Sequence, residues 1–186
     1  MARLAFTNLM RLPSAPSNTS HTLTSELEPD NFLRVLANSP AAFEAWQAGE
    51  AALAKGQFTV QQRVKIGLTV AEIFGCPYAL SLQYDRARRA GLTDAEIKQA
   101  RRATDEDPIT RALLQFTLTV TLQRGELSDS DFRALRRIGI TDAQIVEALA
   151  NISHCIFLSF FNTMAKTDVD YPLLEAGAEA PVPGHA

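Results

Sequence analysis

The chain has 186 residues, 46% of them hydrophobic and 21% charged, with a formal net charge of −3. That length and composition suffice for one core without metal or disulfide staples, and the slight acidic excess excludes the overall positive field that gathers nucleic acid. Two cysteines, Cys76 and Cys155, and three histidines without zinc-ligand spacing argue against a disulfide scaffold or metal centre and for a reduced, cytoplasmic compartment.

In chain order, residues 1–27 read as a loosely ordered N-terminal arm, because Leu12 to Ser25 mixes Pro, Ser, Thr and Asn without periodicity. The stretch before Pro13 lacks an apolar segment long enough for a secretory signal. Residues 28–174 read as a single all-α domain, since helix start signals recur and strand-like alternation does not. Ser39-Pro40 opens a helix to about Lys55. Thr59 with Gln62 is a capping box for a helix that Gly75 stops. Cys76, before Pro77, occupies the cap of a helix to about Ala90; Asp107-Pro108 opens another, Ser128 caps a shorter one, and Thr141 starts a long closing helix. The sequence AGAEAPVPGHA gives 175–186 the look of a disordered tail. No unbroken apolar run reaches the ~18 residues of a membrane span, so no membrane partner is expected.

The chain also echoes itself. Gly91 to Ile97, GLTDAEI, recurs as Gly139 to Ile145, GITDAQI, and at the same offset of 48 Arg63 meets Arg111, Thr69 meets Thr117 and Tyr84 meets Phe132. Two related helical units are implied, each with a glycine cap and a following capping box.

Chemistry points first to Cys76. A thiol at a helix N-terminus meets unpaired N–H groups and the positive end of the dipole, which favours the thiolate. Glu72, one turn earlier, is a candidate proton acceptor, and His154 in the apolar stretch NISHCIFLSFFN a candidate base. Cys155 is the one internal thiol available to recycle an oxidised Cys76. Phe157, Phe160 and Phe161 are spaced for core or subunit contact. The basic residues Arg86, Arg88, Arg89, Lys98, Arg101 and Arg102 precede Asp105-Glu106-Asp107, and the two runs are candidates to pair with each other.

The stretch RVKIGLTVAEIFGCPYALSLQ, Arg63 to Gln83, followed by AGLTDAEI, resembles the signature region of the alkylhydroperoxidase D and carboxymuconolactone decarboxylase superfamily. The resemblance implies a helical bundle of two related units plus a long C-terminal helix, assembled as a homo-oligomer; the sequence itself indicates no prosthetic group or metal. It further implies a redox relay of a glutamate, a Cys-x-x-Cys pair and a histidine. Carried across, the first cysteine is Cys76 and the aromatic inside the pair is Tyr78, whereas the second cysteine falls on Ala79, the histidine on Gln83 and the glutamate on Val64. A dithiol relay cannot run through alanine and valine. Two expectations follow: a weak thiol-dependent hydroperoxide oxidoreductase using Cys76, with Tyr78 and Gln83 shaping a small-molecule pocket and an external thiol as reductant, or a catalytically silent relative that binds a small apolar ligand or serves as an assembly module.

Overall fold

The computed structural model describes residues 30–177. The expected arm, residues 1–27, and the tail from 178 lie outside the described residues. Eight helices and no strands are present among those described: α1 (Asn31–Leu36), α2 (Pro40–Leu53), α3 (Val60–Ile73), α4 (Pro77–Arg89), α5 (Asp94–Arg101), α6 (Pro108–Leu122), α7 (Asp129–Arg137) and α8 (Asp142–Ala165).

The capping residues make the bonds that their types predict. Ser39, Thr59, Thr93, Asp107, Ser128 and Thr141 each accept a backbone N–H at the third helical position, and at Thr59, Thr93, Ser128 and Thr141 the reciprocal bond closes a capping box. The echo survives in three dimensions. α3 and α6 begin 48 residues apart, as do α5 and α8, and Gly91 and Gly139 both turn the chain at positive φ, 81° and 90°, where a side chain would be strained.

α3 is the hub, packed against α4, α5, α6 and α8. Val64 to Glu72 is buried without interruption, so this helix has no solvent face over its middle two turns. The charges in that run are therefore paired: Lys65 with Asp105, and Glu72 with Arg101 at 2.9 Å. Four members of the basic run pair outside the acidic run: Arg101 with Glu72, and the three arginines of α4 as follows. Arg86 reaches Glu50, Arg88 reaches Asp94 and Arg89 reaches Asp85, because each finds a carboxylate on its own or a neighbouring helix first.

α1, which periodicity does not announce in six residues, is fixed by its Asp30 cap and by the chain after α8. Asn31 N donates to Asp170 and Tyr171 OH to Asp30. Residues 175–177 are also anchored: Arg101 donates to the Glu175 carbonyl at 2.8 Å, and Gly177 N to Glu72 at 2.7 Å.

α8 departs from the run-based reading. Its polar residues Asn151, Ser153 and His154 interrupt the apolar run, yet the helix is long and apolar enough to match a membrane span by length and composition. Its inner face packs on α2, α3, α4 and α6. Its outer face carries Val146, Leu149, Phe157, Phe160 and Met164, all exposed, at spacings that align them along one side. Phe161 packs on the core, so the three phenylalanines divide between interior and surface.

Candidate functional site

Cys76 caps α4 as its position predicts, with Sγ accepting from Ala79 N at 3.5 Å. It is 1% exposed and lines none of the described cavities. The reason is tertiary: the first turn of α4 lies beneath α1 and the segment after α8. Tyr78 is buried there, its hydroxyl accepting from Phe32 N at 2.9 Å and its ring edge-on to Tyr171; burial raises its pKa. Ala79 is buried as well. The Glu72 carboxylate is engaged by Arg101 at 2.9 Å and accepts from Gly177 N at 2.7 Å. Both cysteines are free.

Gln83, His154 and Cys155 come together elsewhere, in a cavity of about 320 Å³ between α2, α3, α4 and α8, with Trp46, Glu50, Val64, Arg63 and Arg86 in its wall. Such a volume suits a small organic molecule. Two other hollows have larger volumes: one of about 580 Å³ over Phe74, Phe157, Phe160 and Met164 has no ionisable lining, and one of about 400 Å³ lies near Lys98 and Leu173. The smaller cavity gathers convergent polar groups.

Its polar floor is built around Glu50. The carboxylate lies 3.1 Å from the Arg86 guanidinium and 3.3 Å from His154 Nε2. Burial alone would raise the pKa of Glu50, but the nearby His154 imidazole and Arg86 guanidinium outweigh it and hold the group down to about 2. The imidazole is stacked on Trp46, with ring centroids 3.6 Å apart and planes 14° apart. Cys155 faces the same space. Burial, with the Glu50 charge beside it, pushes its thiol up to about 12 against the pull of Arg86, so it is a protonated thiol at neutral pH.

Two glycines inside helices make room for this arrangement. A Cβ on Gly49 of α2 would sit 3.2 Å from His154 Cε1, and one on Gly67 of α3 would sit 2.5 Å from Gln83 Cδ. Gly in a helix interior costs about 1 kcal/mol relative to Ala; here it admits the imidazole of α8 and the amide of α4. Trp46, Glu50, Arg63 and Arg86 were not singled out from the sequence as site residues. The mid-helix glycines were the available signal.

The internal repeat extends to the cavity. At the offset of 48, Ala112, Asp131, Ala134 and Ile138 take the places of Val64, Gln83, Arg86 and Ala90, and they line a second hollow, about 170 Å³, between α6 and α7. Asp131 is occupied by the Ser128 capping box, and Ala134 brings no charge.

Residues 40–107 match the family described as carboxymuconolactone decarboxylase. No curated protein matches the chain at a significant level. Among solved structures the chain resembles the alkylhydroperoxidase AhpD core of an uncharacterized peroxidase-related protein from Ralstonia eutropha JMP134, with 24% identity over 75% of this chain and 76% of that one and a TM-score of 0.69. It also resembles an uncharacterized peroxidase-related protein from Silicibacter sp. TM1040, at 19% identity over 73% and 74% of the chains and a TM-score of 0.68. A third is the apo debrominase Bmp8, at 19% identity over 76% and 77% and a TM-score of 0.66. A cysteine-to-alanine variant of that enzyme is in complex with 2,3,4-tribromopyrrole. These structural likenesses are likenesses of fold.

Proposed function

We propose, from the premise that this chain is a member of the alkylhydroperoxidase D and carboxymuconolactone decarboxylase superfamily, that it binds a small organic molecule in the Trp46–Cys155 cavity without running a dithiol relay. The observation that carries this reading is the separation of the two thiols' surroundings. Cys76 is consumed as a helix cap in the core, while the cavity places Gln83 and Val64 where the resemblance puts a histidine and a glutamate. A valine and an amide move no protons, so the family relay has no proton path at those two positions, and the cavity supplies the means of recognition: an aromatic wall, an ionised Glu50 and fixed cations.

A second reading has one specific observation in its favour, the place of Cys155 inside the cavity. There the Cys155 thiol would attack the distal oxygen of a hydroperoxide, break the O–O bond, and leave Cys155 sulfenic acid plus an alcohol. One external thiol would then displace water to give a mixed disulfide, and a second would release the Cys155 thiol and an external disulfide. The raised pKa of Cys155 opposes the first step, because the thiolate is the nucleophile.

Peroxide consumption with dithiothreitol decides between them. Binding without turnover predicts equal, background rates for the native protein, Cys76→Ser and Cys155→Ser. A native rate above background that vanishes in Cys155→Ser establishes the second reading, and one that vanishes in Cys76→Ser overturns both. As for assembly, a second copy of the chain is the proposed cover for the apolar stripe on α8, since a 24-residue helix, about 36 Å long, offers an aligned row of Val146, Leu149, Phe157, Phe160 and Met164 for packing against the same row of its partner.

A further inference from the structure

Building on the reading that the cavity holds a small molecule, we propose that its ligand is an organic monoanion with an apolar body: a carboxylate bound by Arg63, with the hydrocarbon part laid against Trp46 and Leu158. Arg86 is neutralised by Glu50, and Arg89 by Asp85 one turn earlier on its own helix. Arg63 is the remaining guanidinium in the lining. Its Nε is buried and has no hydrogen-bond partner among the described residues. A guanidinium stays charged at every accessible pH and presents its donors in a fixed fork that matches a carboxylate. A buried donor of this kind without a partner is costly, and an anion supplies what is missing.

The neighbouring groups fit an organic anion better than an inorganic one. Gly67 follows Arg63 by four residues on α3, so the two lie on one face, one turn apart. Gly67 gives its space to the Gln83 amide, which stands in the cavity wall as a second polar group next to the carboxylate. Beyond these lie Leu53, Val64 and Leu158, which offer nothing to the outer oxygens of a phosphate, and with the Trp46 ring they bury an alkyl or aryl body. Cys155, as a neutral thiol, does not repel the anion.

Trp46 is the only tryptophan and stands in the cavity wall, so its emission reports occupancy directly. The probes are 3-phenylpropanoate, 3-phenylpropanamide and inorganic phosphate, titrated into the full-length protein, Arg63→Gln and Arg63→Lys. The expected result is acid binding about tenfold or more tighter than amide, no response to phosphate, loss of the acid's advantage over the amide in Arg63→Gln, and its partial retention in Arg63→Lys. Far-UV circular dichroism and thermal unfolding of each variant are the control that it is folded. Equal affinity for acid and amide in the native protein, or a preference that survives Arg63→Gln, overturns the inference and leaves small-molecule binding standing. Phosphate binding as strong as the acid overturns the organic body, and absence of any binding overturns both proposals.

Discussion

Replacing Glu72 by Gln separates a structural charge from a chemical one. In the native protein the Glu72 side chain is fully buried and that of Arg101 is 8% exposed; the two are joined at 2.9 Å, and the other Glu72 oxygen holds Gly177 N. The Gln variant keeps an acceptor but leaves the Arg101 guanidinium in the interior with no countercharge from Glu72. Breaking a buried pair this way costs about 3–5 kcal/mol, and for a chain of this length a loss of that size lowers Tm by roughly 6–20 °C. Urea unfolding followed by far-UV circular dichroism measures it. The double variant Glu72→Leu/Arg101→Leu removes both charges and should recover most of the loss, because an apolar pair of similar volume is often neutral or better. Trp46 emission on ligand titration should be unchanged in either variant while it is folded. A Glu72→Gln protein as stable as the native one, or one that stays folded and loses the cavity response, refutes the assignment of Glu72 to the scaffold.

Three further outcomes follow from the cavity and from α8. Glu50→Gln removes the carboxylate that raises the Cys155 pKa, so alkylation of Cys155 by iodoacetamide near neutral pH should accelerate several-fold, as read by peptide mass spectrometry, and an unchanged rate contradicts the electrostatic account. The folded pKa of Glu50 lies at about 2, below its ordinary value of 4.5, so its contribution to stability is complete above pH 4.5 and is lost as pH falls through about 2. The difference in unfolding free energy between native protein and Glu50→Gln should accordingly shrink across that window, and a constant difference counts against the depressed pKa. Phe160→Glu places a charge in the exposed stripe, where Phe160 is 57% exposed and stands edge-on to Phe74; light scattering should find an oligomer of the native chain and a folded monomer of the variant, and an identical mass for both removes α8 as the contact.

The architecture was legible because its information is local. Each capping hydroxyl, the glycines at 91 and 139 and the 48-residue echo are statements about a few neighbouring residues, and each was realised in place. The short α1 escaped because six residues carry less than two turns of periodicity, and its stability comes from Asp170 and Tyr171 at the far end of the chain. The site was legible only in part. Local reasoning located Cys76 at a helix start correctly but had no access to the layer of α1 and Tyr171 that closes over that turn. His154 and Cys155 were recognisable as unusual in an apolar helix, whereas Trp46 and Glu50 acquire meaning only when α2 docks on α8 through the gap left by Gly49. Val64 and Gln83, read from the resemblance as losses, turn out to line the cavity they were expected to serve.

The hollow between α6 and α7 gives the molecule an internal blank. It repeats the helix pair and four wall positions of the cavity, but Arg111, the counterpart of Arg63, does not line it, alanine stands in place of Arg86, and there is no tryptophan–imidazole stack. A guest drawn merely to the groove between two paired helices would find two berths in every chain. One that depends on the guanidinium and imidazole finds a single berth, so the stoichiometry of binding, one or two, reports whether charge or mere concavity selects the guest.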